Sequence, residues 1–335
     1  MEALEGMRTA RLRVYLTQPV APAALARLRE GAEVTMNEDP LHMVTRDELL
    51  AGVRTADVLF CLLHDHVDAG VLDGASRLRL IASMAITPAN IDGAAATARG
   101  IPVTVLPPLV TEATADLTFA LLLAVARRVL EADRLLRSGT FPGSQSAYLV
   151  GGAVHGKVLG IVGLGGIGAA VARRARGFGM RVLYVKRRRL SAAEEQERGI
   201  AFAPLDRLLE ESDVVSVHAP RTPETHHLIG ERELRRMKRT AYLINTSRGP
   251  LIDEAALIRA LTEGWIAGAG LDVYEREPLV PPGLLPLQNV VLTPHIGSAE
   301  RETRDVIAAV VVENILAYAR GERPANVFNP EVYAR

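Results

Sequence analysis

A single cysteine, Cys61, rules out an internal disulfide, and its place in the apolar run VLFCLL points to a buried structural thiol in a reducing cytoplasm. No stretch approaches the roughly 20 apolar residues of a membrane span. The opening MEALEGMRTARLRVYL carries acids early and lacks the long apolar stretch of a secretory signal, so neither membrane insertion nor secretion is expected. There is no excess charge of either sign: 39 Lys plus Arg balance 39 Asp plus Glu, so the whole chain has no pull toward nucleic acid or membrane, and any basic site must be local. Lysine is scarce, with only Lys157, Lys186 and Lys238 among those 39 cations, a bias that carries no functional reading. Short-period repeats and low-complexity tracts are missing as well. Metal-ligand spacing is also lacking: His64 and His66 in LLHDHVD have no further ligands in a suitable pattern and read as loop residues, and no metal is expected. His226 and His227 are expected to be exposed.

What is present is an ordinary globular balance, 48% apolar and 23% charged, in 335 residues, a length that suits two cores better than one. From Arg11 short β-rich runs alternate with amphipathic stretches: RVYLT, APAALARLRE, EVTMN, DELLAGV, DVLFCLL, LRLIASMA. That alternation predicts a parallel sheet flanked by helices. Leu106-Pro107-Pro108 breaks the pattern, and Thr111 to Arg137 reads as one long helix, too apolar to be solvated all round. After a glycine-bearing connection from Gly139 to Gly156, six further strands are expected: VLGIVG, RVLYV, DVVSVHAP, AYLINTSRG, GAGLDV and NVVLTPH. A last helical run covers Ser298 to Arg320. The fold class is therefore α/β, with two Rossmann-like, doubly wound parallel-sheet domains and a cleft between them. Residues 1–108 and 303–335 form a substrate domain, and 109–302 a nucleotide-binding domain.

The loop GLGGIG follows the strand VLGIV and opens a helix that leads into RVLYV. A bare GxGxxG is weak evidence, but a strand, turn, helix and second strand of the right lengths make it strong. Gly163 permits the tight turn, Gly165 lets backbone approach a pyrophosphate, and Gly168 lets helix pack on strand. Gly166 and Ile167 stand at the helix N-terminus, where free amides and a partial positive charge suit an anion. An acid about 20 residues further on usually accepts the adenosine ribose hydroxyls. Here that place is taken by YVKRRRL, and Lys186, Arg187 and Arg188 would hold a 2′-phosphate by charge-assisted hydrogen bonds. The expected cofactor is NADP in preference to NAD.

In a doubly wound sheet, ligands bind beyond the carboxyl ends of the strands. Four ends stand out: His218-Ala219-Pro220, Asn245-Thr246-Ser247-Arg248-Gly249, Asp272 with Glu275 to Pro278, and Thr293 to Ser298. Of these residues and the turn after the third strand, His218, Ala219, Pro220, Thr225, Thr246, Ser247, Asp272 and Gly297 are expected to line the cofactor. INTSRG, GLDVYEREP and TPHIGS, behind GLGGIG, resemble the D-isomer-specific 2-hydroxyacid dehydrogenases, over nearly the whole chain. The resemblance implies that Arg248 binds the substrate carboxylate and keto oxygen. It also implies that His295 is the general acid/base with Glu277 as its partner, that Asp272 meets the nicotinamide end, and that the protein is a homodimer through the apolar helix near residues 115–130. The chemistry agrees: a guanidinium offers a carboxylate a fixed fork, and an imidazolium backed by a carboxylate can stabilise and protonate a developing alkoxide. The substrate expected is a small 2-keto acid of the glyoxylate or hydroxypyruvate type.

Two departures bear on the substrate. Where relatives carry a loop of the form GVGxDNID, this chain has Ala85-Ile86-Thr87-Pro88-Ala89-Asn90-Ile91-Asp92. A β-branched Thr87 ahead of a proline cannot easily copy a glycine, so a reshaped loop is expected, with Ile86 and Thr87 lining the substrate pocket. The connection from Gly139 to Gly156 also lacks the tryptophans of many relatives; the single Trp is Trp265. Two alternatives stay open: a phosphite-type oxyanion dehydrogenase, although the lysine such an enzyme carries in this loop is missing, and a non-enzymatic nucleotide-sensing protein of the same fold.

Overall fold

The computed structural model describes residues 11–334, which cluster into two units: the described residues up to Leu109 with those from Glu300 onward, and Val110–Ala299. In the first unit, β1 (Leu12–Leu16), β2 (Ala32–Met36), β3 (Val58–Cys61), β4 (Leu80–Ser83) and β5 (Val103–Thr104) form a parallel sheet in the order β2-β1-β3-β4-β5. Every residue of β3 and β4 is buried. This is why those runs are continuously apolar rather than alternating, as expected of strands covered on both faces. β5 is an addition to the four strands expected. At two residues it is too short for a sequence pattern to reveal, and it is held from outside: Val103 N–H donates to Asn329 Oδ1 at 2.7 Å, and Thr104 bridges antiparallel to Val327. The last long helix runs over Arg301–Ala319, inside the span expected.

In the second unit, β6 (Val158–Val162), β7 (Arg181–Val185), β8 (Ile200–Phe202), β9 (Val214–Val217), β10 (Tyr242–Asn245), β11 (Gly268–Leu271) and β12 (Val290–Leu292) form a parallel sheet in the order β12-β11-β10-β9-β6-β7-β8. It has seven strands where six were expected; the extra one, β8, is a three-residue edge strand. The chain reverses direction of growth between β6 and β9, the switch point where such sheets bind ligands. Alternate strand residues feed two cores. Val215, Val217 and Leu243 enter one, and Leu159, Ile161, Val214 and Ile244 the other. Removing a side chain such as Leu243 to Ala would cost about 2–5 kcal/mol.

The single helix expected over 111–137 is instead two, Thr111–Ala126 and Val129–Arg137. Arg128 breaks it at φ 53°, a left-handed conformation that periodicity cannot reveal in a non-glycine residue. Ala126 O, freed by the break, accepts Gly152 N–H at 2.9 Å, and the Arg128 guanidinium pairs with Glu131 at 2.7 Å. In the first helix Ala115, Phe119, Leu121, Leu122 and Val125 are buried against the sheet, with Phe119 stacked on Phe178 at 5.1 Å. The second helix buries no residue, and Val129, Leu130 and Leu136 stand exposed.

Candidate active site

The turn after β6 is built around close backbone approaches. Gly163 has φ 98°, and a Cβ on it would lie 2.5 Å from Ala219 N. A Cβ on Gly168 would lie 2.4 Å from Gly163 O, so helix Gly166–Gly177 seats on the strand only with glycine there. At Gly165, the residue preceding the helix, the space a Cβ would fill is open, and the first-turn amides of Gly166, Ile167 and Gly168 have no acceptor within the helix. Beyond β7, Lys186, Arg187 and Arg188 make no hydrogen bond or ion pair among the described residues, and both arginines are exposed. The fourth cation of the run differs: Arg189 is held by Glu195 at 2.8 and 2.9 Å and lies over the Phe202 ring.

Beyond β9, His218 Nε2 is 2.8 Å from Ser216 Oγ, while its Nδ1 is enclosed without a partner. The residue as a whole is half-buried, but the ring itself is shielded, and that burial pushes its pKa down to about 4, so the imidazole is neutral near pH 7. Ala219 O accepts Ser247 Oγ–H at 2.6 Å, which ties this turn to the end of β10, and within the turn Thr225 Oγ–H donates to Pro220 O at 2.7 Å. Thr246 Oγ meets Thr118 Oγ at 2.8 Å in a buried contact. The open face at Gly165 and the cations beyond β7 that make no hydrogen bond or ion pair together fit a dinucleotide along this edge.

Beyond β10, Asn245 caps its own turn, accepting Ser247 N–H and donating to Arg248 O, both at 3.0 Å. The Arg248 guanidinium donates to Ser247 O at 2.7 Å and meets no carboxylate within ion-pair distance. Burial pushes it below its ordinary value, the charge of Glu277 opposes this, and Arg221 adds to it. It remains a cation at neutral pH. Beyond β11, Glu277 Oε1 accepts Tyr274 N–H at 3.0 Å, and its Oε2 lies 2.7 Å from His295 Nδ1. Burial pushes the Glu277 carboxyl up, but the hydrogen bond and charge of His295, the Tyr274 amide and the Arg248 charge outweigh it, leaving the carboxyl below its ordinary value. With Nδ1 committed to Glu277, His295 Nε2 has no partner among the described residues. About a third of each side chain is accessible, 32% for His295 and 36% for Glu277, so a small molecule can reach the pair.

His295 has φ 52°, a conformation that a non-glycine residue holds only when its surroundings impose it. Asp272 imposes it. Its backbone O accepts His295 N–H at 2.9 Å, its Oδ1 accepts Thr293 Oγ–H and Ile296 N–H at 2.7 and 2.8 Å, and its Oδ2 accepts Gly297 N–H at 2.8 Å. Burial nonetheless pushes the Asp272 carboxyl above its ordinary value. Residues not singled out from the sequence also stand here, none with a distinguishing sequence signal: Ser216 against His218, Arg221 as a charge near Arg248, and Glu254 bonded to the Glu275 amide. His226 and His227 are exposed, as expected. In the first unit, Thr87 is exposed and Ile86 half-buried; Asn90 anchors their loop by donating to Leu62 O and Asp65 O at 2.9 and 2.7 Å. Among the described residues no three His, Cys, Asp or Glu side chains are grouped to hold a metal ion.

The family model described as D-isomer specific 2-hydroxyacid dehydrogenase, NAD binding domain, matches residues 119–297. A glyoxylate reductase of Korarchaeum cryptofilum is 50% identical over 322 residues, covering 96% of each chain. The chain belongs to the D-isomer-specific 2-hydroxyacid dehydrogenases. Two solved structures extend the likeness of this dehydrogenase. A Thermus thermophilus protein, 46% identical, matches with a TM-score of 0.88 over 95% of this chain and 100% of the other. The NADPH-dependent glyoxylate/hydroxypyruvate reductase of Sinorhizobium meliloti, 32% identical, matches with a TM-score of 0.79 over 96% and 99%. The dehydrogenase is thus an NAD(P)-dependent enzyme acting on small 2-keto or 2-hydroxy acids.

Proposed function

We propose that the enzyme reduces glyoxylate or hydroxypyruvate with NADPH in preference to NADH. The observation that carries this reading is the His295 Nδ1 to Glu277 contact, which leaves Nε2 of an accessible imidazole free in the same strand-end cluster as an Arg248 that meets no carboxylate within ion-pair distance. The nicotinamide, when bound, would supply the hydride for the carbonyl carbon. Arg248 forks the substrate carboxylate and orients the keto group. His295 Nε2–H donates its proton to the carbonyl oxygen as negative charge develops there, and Glu277 stabilises the imidazolium beforehand. Asp272 holds the loop that bears His295, and the family resemblance assigns it to the nicotinamide end.

Lys186, Arg187 and Arg188 are assigned to the 2′-phosphate, because three cations that make no hydrogen bond or ion pair at the end of β7 suit an anion that NADH lacks. The named Sinorhizobium relative, an NADPH-dependent reductase, supports the same choice. We assign nucleotide binding to the unit Val110–Ala299, close to the 109–302 expected, and homodimer formation to the helical region near residues 115–130, narrowed to its end, since Ala115, Phe119, Leu121, Leu122 and Val125 are buried within the unit while Val129 and Leu130 are exposed. A reducing cytoplasm suits the one buried, free thiol. The test is initial rates on a panel of glyoxylate, hydroxypyruvate, larger 2-keto acids and phosphite, each with NADPH and NADH. Fastest turnover of glyoxylate or hydroxypyruvate with NADPH supports the reading; turnover of phosphite alone replaces it. A single-subunit mass by light scattering rejects the dimer.

A further inference from the structure

A second acidic pair lies behind the catalytic acid. Glu254 opens the helix Glu254–Thr262, and Glu275 sits two residues ahead of Glu277. Each side chain binds the other's backbone: Glu254 Oε1 accepts Glu275 N–H at 2.8 Å, and Glu275 Oε1 accepts Glu254 N–H at 3.0 Å. Glu275 Oε1 also lies 3.1 Å from His227 Nε2, and the His227 ring is backed by His226 with centroids 4.0 Å apart. The same two chain segments touch at Gly249, where a Cβ would come within 1.9 Å of Tyr274 C and 2.4 Å of Glu275 N. Gly249 directly follows Arg248, and Tyr274 N–H is the group that Glu277 Oε1 accepts. The backbone delivering the guanidinium and the backbone delivering the acid are therefore in contact and laced together by this pair. Helix capping does not require it, because Asp253 already caps the helix by accepting Ala256 N–H at 2.9 Å. Half-burial and the charges of Glu275 and Glu277 push the Glu254 carboxyl up, so the arrangement works against the acid's own preference for solvent.

We propose that Glu254, through its reciprocal bonds with Glu275, is a positioning residue that sets the spacing between Arg248 and the His295–Glu277 pair. It touches neither substrate nor cofactor. This rests on the roles given to those three residues above. Geometry of this kind matters because displacing reacting groups by about 1 Å costs on the order of 100-fold in rate.

The test compares Glu254→Ala and Glu254→Gln with wild type, well below their melting temperatures. In Glu254→Ala, kcat/KM for glyoxylate should fall by about 10–100-fold while NADPH affinity is unchanged. Glu254→Gln keeps an oxygen to accept Glu275 N–H and should recover most of the loss. Independently of turnover, the ¹⁵N shift of His295 Nδ1 should move in Glu254→Ala, since its bond to Glu277 loosens, and return in Glu254→Gln. A lower melting temperature with unchanged kcat, KM and His295 signal would reduce Glu254 to a structural residue and overturn the proposal. If wild type turns over none of the keto acids, the proposed function falls, and the His295 signal alone decides the brace: a shifted signal supports it and an unmoved one rejects it.

Discussion

Acid should loosen this protein through one ring, that of His218. The folded chain encloses its Nδ1 without a partner and depresses its pKa from 6.5 to about 4. Between those values the unfolded chain binds a proton that the folded chain refuses, so stability rises with pH across that window. The contribution is complete above pH 6.5, shrinks as pH falls, and is gone once pH passes about 4. The fall from 6.5 to about 4 corresponds to about 3 kcal/mol, of which roughly 2 kcal/mol is lost by pH 5. This is a sizeable part of the roughly 5–15 kcal/mol that holds a typical domain together. The assay is urea unfolding of wild type and His218→Asn at pH 7 and pH 5. Wild type should lose about 2 kcal/mol more than the variant between the two, because carboxylates such as Glu277 contribute to both proteins alike. Equal losses would show that the ring is hydrated or paired, and would refute the reasoning.

Three other variants have clear expectations. His295→Ala should lower kcat by about 10²–10⁴-fold with NADPH binding, followed by fluorescence, unaffected. Arg187→Ala with Arg188→Ala should cut catalytic efficiency with NADPH by at least about tenfold and leave NADH efficiency near wild type, checked by steady-state kinetics with both cofactors. Gly249→Ala drives a Cβ into the Tyr274 backbone, and calorimetry should find it destabilised by about 3 kcal/mol or more, or unfolded.

Much of this was readable in the residues themselves. Strands buried on both faces, such as VLFC and VLGIV, announce themselves as continuous apolar runs, and GLGGIG between a strand and a helix has few other readings. Arg248, Glu277 and His295 could be singled out as candidates because their motifs resemble those of the family and follow strand ends, which share one edge of a parallel sheet. β5 and β8 escaped because two or three residues carry no period. The break at Arg128 escaped because a left-handed arginine looks like any other in a sequence, and the Gly152 amide that takes up the freed Ala126 O comes 26 residues after that alanine. Glu254 escaped for a related reason: its meaning depends on Glu275, which only the packing of two loops brings near. The split within YVKRRRL, three cations that make no hydrogen bond or ion pair and one held by Glu195, likewise depends on a partner that sequence position does not name.

The most direct measurement of the central claim is the effect of Arg248→Ala on glyoxylate reduction at saturating NADPH. Two charge-assisted bonds to the substrate carboxylate would be lost, and kcat/KM should fall by about 10²–10⁴-fold with NADPH affinity unchanged. An Arg248→Ala enzyme that reduces glyoxylate as efficiently as wild type would contradict the account, because the keto acid would then be held elsewhere than beside His295 and Glu277.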